Sequence, residues 1–265
     1  MDILNRSLAP IPQEAWDFID DEAREILTMN LNARKAVDFV GPKGMDFGVV
    51  NTGRIKEING NVEGAEFSKR EVLPLIEVKV PFKLDKKEIE SLARGAVDVD
   101  TDPLVEAAKK LSKIENDAIF YGLEEGNISG IISSLETGEV VLEKERNKLV
   151  SSIVSAVNEL QDDGIEGPFN LMLGEKLHNL IYELDDKGYP LVNKLENAIG
   201  GEVVFVPNLE DEGVLISTRG EDFELIVGQD ISIGYSKQTG DELEFFFYET
   251  FTFRVNDPGA AVQVK

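Results

Sequence analysis

The most regular hydrophobic pattern in the chain lies between 223 and 255. From Leu243 onward, every second residue is apolar except Glu249. A period of two with many aromatic residues is typical of a β-strand, and the sequence SKQTGD at 236–241 favours a turn before it. The pattern therefore predicts a long antiparallel hairpin over 223–255. Because so apolar a ribbon would aggregate if it were bare, we expect helices of the chain, other copies of it, or both to cover its faces.

Helical periodicity occurs in several other segments. The segment 14–27 carries Trp16 on a single apolar face. Asp102 and Pro103 provide an N-cap and a proline in the first turn for a long helix that should run to about 123. Its length makes it the predicted spine of the core. Shorter helices are predicted at 86–94, 145–160, 175–184 and 191–199.

Strand patterns account for much of the remaining chain. Apolar and polar residues alternate over 76–84. Together with the polar, glycine-containing stretch before it, the region 48–84 is predicted to form a long two-stranded excursion. The region 130–143 is interpreted as a short hairpin. The region 136–222 alternates helices with strands, which predicts an α/β patch, with strands at 169–173, 203–206 and 214–217.

The net negative charge of the chain limits the kinds of molecule that it is expected to bind. The net charge is −24, which argues against a surface that holds nucleic acid, since such surfaces need basic stripes. Residues 136–222 hold 19 acidic and 7 basic side chains, a net charge of −12. There is no cysteine, no pattern of a signal peptide and no apolar run of membrane length. We therefore expect a cytoplasmic protein.

Candidate chemistry is sparse. The single histidine, His178, lies in a helical pattern, and no nucleophile-elbow motif accompanies it. Adjacent carboxylates are predicted to lie in loops, where they are ordinarily solvated. No metal-ligand spacing and no glycine-rich nucleotide loop occurs. We therefore predict that the chain is not an enzyme and has no catalytic residue, no resident metal and no cofactor. The loop carboxylates are those at 162–163, 185–186 and 210–212.

Seven short stretches, in order and at matching spacing, resemble the encapsulin family of shell proteins. The resemblance extends over essentially the whole chain. Encapsulins share the fold of HK97-type phage capsid proteins, so the resemblance implies an α+β fold of that type. The stretches are RSLAPI (6–11), AREI (23–26), RKAVDFVGPKG (34–44), LPLIE (73–77), DGIEGP (163–168), RGEDFELIVGQDISIGY (219–235) and ETFTFRV (249–255).

The resemblance also implies a division of the chain into regions. It implies an N-terminal arm and helix at 1–47, an extended loop at 48–84 and a peripheral domain with the spine helix at 85–135. An axial α/β domain is expected at 136–222. The last region, 223–265, is expected to return to the peripheral domain with the β-hairpin and the C-terminus.

By resemblance, the chain is a structural subunit of a hollow icosahedral nanocompartment, of about 60 copies if the shell has the simplest closed symmetry, T=1. Such shells enclose cargo enzymes that carry C-terminal targeting peptides, usually ferritin-like iron-oxidising proteins or dye-decolourising peroxidases. The positions implied to contact that peptide are Leu27, Arg34, Asp38, Asp230 and Ile231. Arg34→Glu is then expected to give intact but empty shells. The alternative is that Arg34 and Asp38 form only a structural ion pair.

The resemblance further implies a pore in the axial domain. An acidic pore would concentrate cations such as ferrous iron, which favours iron storage, whereas the alternative is that the charge only keeps a large particle soluble. Some relatives have an aromatic residue, associated with a bound flavin, at the position of Lys87, and the lysine therefore predicts no flavin. The residues implied to line the pore are Glu183, Asp185, Asp186, Lys187, Gly188 and Tyr189.

Two other functions remain as alternatives. One is a phage-like major capsid protein that encloses DNA, against which the net charge of −24 and the implied cargo groove both weigh. The other is a hydrolase acting through the loop carboxylates, which corresponds to the bacteriocin or protease labels given to some relatives.

Overall fold

The computed structural model describes residues 3–60, 63–92, 94–136, 138–143, 145–184 and 190–265. Within these residues the chain forms two five-stranded sheets, a long two-stranded ribbon, a short pair of strands and a set of helices. The short pair consists of β5 (Gly122–Leu123) and β6 (Ile128–Ser129). Helix and sheet are mixed along the chain, as the α+β prediction requires. The helices are α1 (Gln13–Asn30), α2 (Lys86–Leu92), α3 (Asp102–Phe120), α4 (Ile131–Ser134), α5 (Arg146–Asp162), α6 (Glu175–Glu183) and α7 (Leu191–Ile199).

The first sheet is built around β13 (Glu242–Val255). One edge of β13 pairs antiparallel with β12 (Ser232–Thr239) and then with β11 (Phe223–Val227), and the other edge pairs with β4 (Ile76–Asp85). A short strand, β1 (Asp38–Val40), joins β11 in parallel. The predicted hairpin is confirmed for β12 and β13, although its turn is confined to residues 240–241. The first part of the predicted hairpin forms a separate strand, β11.

The chain's own helices cover one face of β13, as the alternation requires. The ring of Trp16 on α1 meets Phe245 edge to face at 5.4 Å, and Phe82 on β4 stacks on Phe245 at 5.6 Å. The helix α3 spans two hydrophobic clusters, since Leu104 belongs to the cluster around Phe245 while Phe120 belongs to the cluster of the second sheet. The predicted spine helix is therefore present and connects the two cores.

Close packing on the opposite face of β13 explains a glycine in β12. A Cβ at Gly234 would lie 2.3 Å from the ring of Phe246, which is buried. We expect Gly234→Ala to destabilise the protein by about 1–3 kcal/mol because the ring must move within a packed layer. The shift in the unfolding midpoint measures this cost. Gly138→Ala is the control, since its Cβ would meet no atom within 4 Å, and an equal loss in both variants would contradict the packing argument.

An antiparallel ribbon of β2 (Val49–Ile58) and β3 (Phe67–Pro74) precedes β4. Most of its residues are exposed, including the apolar Ile55, Ile58 and Phe67. The structure differs from the predicted excursion over 48–84 in one respect. The alternating segment at its end is β4, which lies within the first sheet because its inward side chains pack beneath α1 and α3.

The second sheet has five strands in the spatial order β7 (Glu139–Val140), β14 (Ala261–Val264), β10 (Gly213–Ser217), β8 (Phe169–Leu173) and β9 (Val203–Phe205). Helices α5 and α7 pack against each other beside this sheet, and their apolar faces belong to its core. The expected α/β patch at 136–222 is therefore present. The strands β7, β8, β9 and β10 come from this region, whereas β14 comes from the C-terminus.

Two expectations about this sheet were wrong. The C-terminal residues do not stay with the hairpin, because β14 inserts between β10 and β7 in the second sheet. The segment 130–143 does not form a hairpin of its own. Its described residues begin with the short helix α4, and the strand that they contain, β7, pairs with β14 rather than with a local partner. Within the described residues, no helix is long and apolar enough to span a membrane.

Candidate functional site

A groove of about 780 Å³ lies between α1 and the start of β12. The α1 side contributes Ala23 and Leu27, and the sheet contributes Ile231, Ile233 and Phe247. Arg34 and Asp230 line the same groove. Four of the five residues predicted to contact a cargo peptide, Leu27, Arg34, Asp230 and Ile231, are thus brought together, although they come from three separate parts of the sequence.

The N-terminal arm holds this groove in shape. The backbone N–H of Tyr235 donates to the carbonyl oxygen of Leu4 at 2.7 Å, which fixes the arm along the edge of β12. Arg6 forms a two-point ion pair with Asp20 on α1, at 2.6 and 3.0 Å, and its guanidinium lies 3.9 Å from the centre of the Trp16 ring. The arm therefore ties α1 to β12 at one end of the groove.

Asp38 lies outside the groove. Its Oδ2 accepts a hydrogen bond from the backbone N–H of Glu221 at 2.5 Å, and it lines a separate cavity of about 60 Å³ with Gly220 and Asp222. Arg34 makes its ion pairs with other carboxylates, so the structure does not contain the alternative Arg34–Asp38 pair. The side chain of Asp38 thus joins the loop at 220–221 to β1.

Arg34 is the centre of a cluster with three carboxylates. Its Nη2 donates to Oε2 of Glu115 at 2.5 Å and to Oε1 of Glu249 at 3.0 Å, and its Nε donates to Oε1 of Glu115 at 2.9 Å. Its Nη1 donates to Oδ1 of Asp230 at 3.1 Å. Glu115 and Glu249 are fully buried, whereas the Asp230 side chain is 41% exposed. The cluster thus extends from the interior to the groove.

The surroundings of Glu249 favour its protonated form. Burial raises the pKa of Glu249 well above the ordinary carboxyl value, and the negative charge of Glu115 raises it further, while Arg34 acts in the opposite direction. Burial alone would lower the pKa of Arg34, but Glu115, Glu249 and Asp230 raise it above its ordinary value. The guanidinium therefore stays charged, and burial favours the neutral form of Glu249.

This assignment predicts how stability depends on pH. A group whose pKa is raised on folding stabilises the protein below its ordinary pKa, and this stabilisation is lost as pH rises through the raised pKa. Glu249→Gln mimics the neutral form, so we expect the variant to gain about 1–3 kcal/mol relative to wild type between about pH 5 and about pH 8. Urea unfolding at the two pH values measures the difference.

The control for this prediction is Glu242→Gln on the same strand. Glu242 is 55% exposed and pairs with Lys83 at the surface, so its replacement should change stability by a similar small amount at both pH values. A pH response of Glu249→Gln no larger than that of the control would contradict a buried neutral Glu249.

Sequence reasoning missed Glu115 and Glu249 as site residues, yet both left a pattern. Glu249 is the one charged residue in the apolar alternation of β13. Glu115 follows Leu111 by four residues and Ala108 by seven, so it lies on the apolar stripe of the spine helix. A charged residue at a core position implies a buried partner, although neither pattern identifies Arg34 as that partner.

Of the predicted pore residues, Glu183 alone lies within the described part of the chain. Asp185, Asp186, Lys187, Gly188 and Tyr189 lie outside the described residues, and Glu183 is the exposed last residue of α6. His178 on the same helix packs between Tyr182 and Phe205, with ring centres 5.0 and 4.7 Å away, and burial lowers its pKa. No group of three or more His, Asp or Glu side chains in the described part of the chain is placed to hold a metal ion.

Comparison with known proteins links the whole chain to one family. Residues 1–252 match a family model described as "encapsulating protein for peroxidase". A type 1 encapsulin shell protein from Rhodospirillum rubrum is 38% identical over 272 aligned residues, covering 100% of this chain and 97% of the relative.

Solved structures with similar folds include capsid and virus-like particle proteins. The virus-like particle protein of Pyrococcus furiosus superposes with a TM-score of 0.65 at 21% identity, covering 92% of this chain and 98% of that one. The capsid protein of the Myoviridae phage XM1 superposes with a TM-score of 0.59 at 9% identity, covering 88% and 91%. These likenesses establish the HK97-like capsid fold. Together with the whole-chain sequence match, they show that the chain belongs to the encapsulin family of structural shell proteins.

Proposed function

We propose that this chain assembles with itself into a closed icosahedral shell, of about 60 copies at the simplest symmetry, that encloses cargo enzymes in the cytoplasm. The groove between α1 and β12 is the observation that carries the cargo part of the proposal. Apolar side chains line both of its walls, and charged side chains, among them the Arg34–Asp230 pair, lie between them. This combination suits an extended peptide, whose side chains fill apolar positions and whose register is fixed by a few polar contacts.

The ribbon of β2 and β3 supports the assembly part. A two-stranded ribbon is marginally stable alone, and the apolar Ile55, Ile58 and Phe67 on this one are 67%, 48% and 39% exposed in a single copy. Such a surface favours cover by another protein. In a closed shell, the body of a neighbouring copy provides that cover.

A loading experiment tests the groove. Shells are co-expressed with a fluorescent protein that carries the C-terminal tail of a ferritin-like protein or of a dye-decolourising peroxidase from the same host. Wild-type shells should contain the reporter. Leu27→Asp and Ile231→Asp should lower the reporter content at least about tenfold, because each places a charge on the apolar wall.

Particle assembly must be checked in the same preparations by size-exclusion chromatography and electron microscopy. Val97→Asp is the matched control, because Val97 is 93% exposed and lies outside the groove. Intact particles of both groove variants that load as well as wild type would refute the groove. Wild-type shells that load neither tail would refute the proposed cargo class.

The two cargo classes have different support. The family description names a peroxidase, whereas the net charge of −12 within 136–222 favours attraction of cations such as ferrous iron. Iron uptake by loaded shells after Asp185→Asn and Asp186→Asn tests the second. A slower uptake would support an acidic pore, and an unchanged rate would favour solubility as the role of this charge.

A further inference from the structure

Most of the hydrogen-bonding capacity of Arg34 is used inside the protein. A guanidinium carries five N–H donors. The Nε–H and both Nη2–H groups point to Glu115 and Glu249, and one Nη1–H points to Asp230. The ring of Phe39 packs on the guanidinium with its centre 4.9 Å from Cζ. One Nη1–H therefore remains without an acceptor among the described residues.

Asp230 has one occupied and one unoccupied carboxylate oxygen among the described residues. Its Oδ1 accepts from Arg34 at 3.1 Å and from the backbone N–H of Ile231 at 2.9 Å. Its Oδ2 has no donor among the described residues, and the side chain is 41% exposed where it lines the groove. The pair thus leaves one donor and one acceptor side by side on the wall of the groove.

One donor beside one acceptor matches a peptide unit of an extended chain, which offers a C=O and an N–H of its own. We propose that Glu115 and Glu249 are positioning residues that hold Arg34 in this orientation, so that the Arg34–Asp230 pair binds a main-chain amide of the cargo tail rather than a charged side chain. This inference rests on the proposed function of the groove. In this arrangement the apolar walls of the groove bind the side chains of the tail, and the Arg34–Asp230 pair binds its backbone.

The charged groups around Glu249 support the proposed orientation of the Arg34 guanidinium. Glu115 from α3, Arg34 from the turn at 32–35 and Asp230 from the β11–β12 connection are the charged groups that face it. On β4, which lies beside β13, Glu77 bonds to the Tyr248 hydroxyl at 2.8 Å and Lys79 lies 3.6 Å from the Phe246 ring centre, on the other face of the sheet. Among the described residues, Nη2 of Arg34 therefore bonds to Glu115 and Glu249 alone, while Asp230 accepts from Nη1.

Binding of a synthetic tail to assembled shells tests the proposal. The probe is a fluorescent peptide with the tail sequence that loads into wild-type shells. In a series of peptides, each with one amide replaced by an ester, one position should bind about tenfold more weakly, as expected for loss of a hydrogen bond to a charged group. Reversal of a charged side chain in the tail should change affinity by much less, and the affinity should depend little on salt.

Two variants of Glu249 separate positioning from a merely structural role. Glu249→Gln keeps an oxygen that accepts from Nη2, so its shells should bind the tail as wild type does. Glu249→Ala releases one Nη2–H, so binding should weaken and become dependent on salt. Glu242→Ala is the control, because Glu242 is exposed on the same strand. The ester series on wild-type shells does not depend on whether Glu249→Ala folds.

The outcomes distinguish this inference from the function on which it rests. A uniform ester series, together with strong effects of charge reversal in the tail, would overturn main-chain recognition while leaving the groove as the cargo site. Equal affinity and equal salt dependence in Glu249→Ala and wild type would overturn the positioning role. Failure of wild-type shells to bind any tail would overturn both.

Discussion

Replacing Arg34 by glutamate should unfold the subunit rather than only prevent cargo loading. The change removes the cation that Glu115 and Glu249 share and adds a fourth carboxylate to the cluster. Removing one partner from a buried ion pair costs about 3–5 kcal/mol, and this site leaves two fully buried acids without their partner. We therefore expect little assembled protein from this variant at neutral pH.

Unfolding by urea, followed through the fluorescence of the single tryptophan, measures the loss. The matched control is Arg24→Glu, which also reverses an arginine near the groove. Arg24 and its partner Asp21 are 70% and 74% exposed, so that variant should lose less than about 1 kcal/mol. Stable, empty particles of Arg34→Glu would show that Glu115 and Glu249 tolerate the loss of their cation.

This expectation differs from the one drawn from the sequence, in which Arg34→Glu gave intact but empty shells. Arg34 lines the groove, but the resemblance gave no information about the residues that lie behind it. Glu115 is 81 positions away along the chain and Glu249 is 215. No local pattern joins residues so far apart, and the ion pairs become visible only when α3 and β13 are packed together. Variants on the apolar walls are therefore the better test of cargo binding.

The elements with strong local periodicity were predicted well. The alternation of β13 and the apolar stripe of α3 are properties of consecutive residues, and both elements lie where the sequence places them. The strand β7 and the strand β14 are different, because each is short and is defined by a partner distant in sequence. The segment 130–143 is predicted from the sequence as a short hairpin, yet most of its apolar residues pack in the core of the second sheet.

The contacts of Lys87 likewise could not be predicted from the residue type at that position. The sequence shows only a lysine where some relatives carry an aromatic residue. In the structure its Nζ pairs with Asp241, in the turn between β12 and β13, at 2.8 Å. This contact joins α2 to the hairpin at the surface. It gives the lysine a role that no comparison of residue types at one position predicts.

Phe245→Ala should destabilise the subunit most among substitutions of its apolar core. Phe245 is completely buried, and it touches Trp16, Phe82 and Tyr235 at ring-centre distances of 5.4, 5.6 and 5.8 Å. These residues come from α1, β4 and β12, so the cavity would weaken contacts among three elements at once. Truncation of a buried phenylalanine costs about 3–5 kcal/mol, and Trp16 fluorescence should report the lower unfolding midpoint directly.

Phe67→Ala provides the informative contrast, because it removes the same side chain from the ribbon, where Phe67 is 39% exposed. If the ribbon packs on a neighbouring copy, this variant should keep the secondary structure of the subunit but dissociate from particles at a lower urea concentration than wild type. Phe245→Ala should instead lose subunit structure and particles in one transition. A ribbon variant that behaves as wild type in both measurements would show that the exposed aromatic ring contributes nothing to assembly, and cover of the ribbon would then have to come from its other apolar residues.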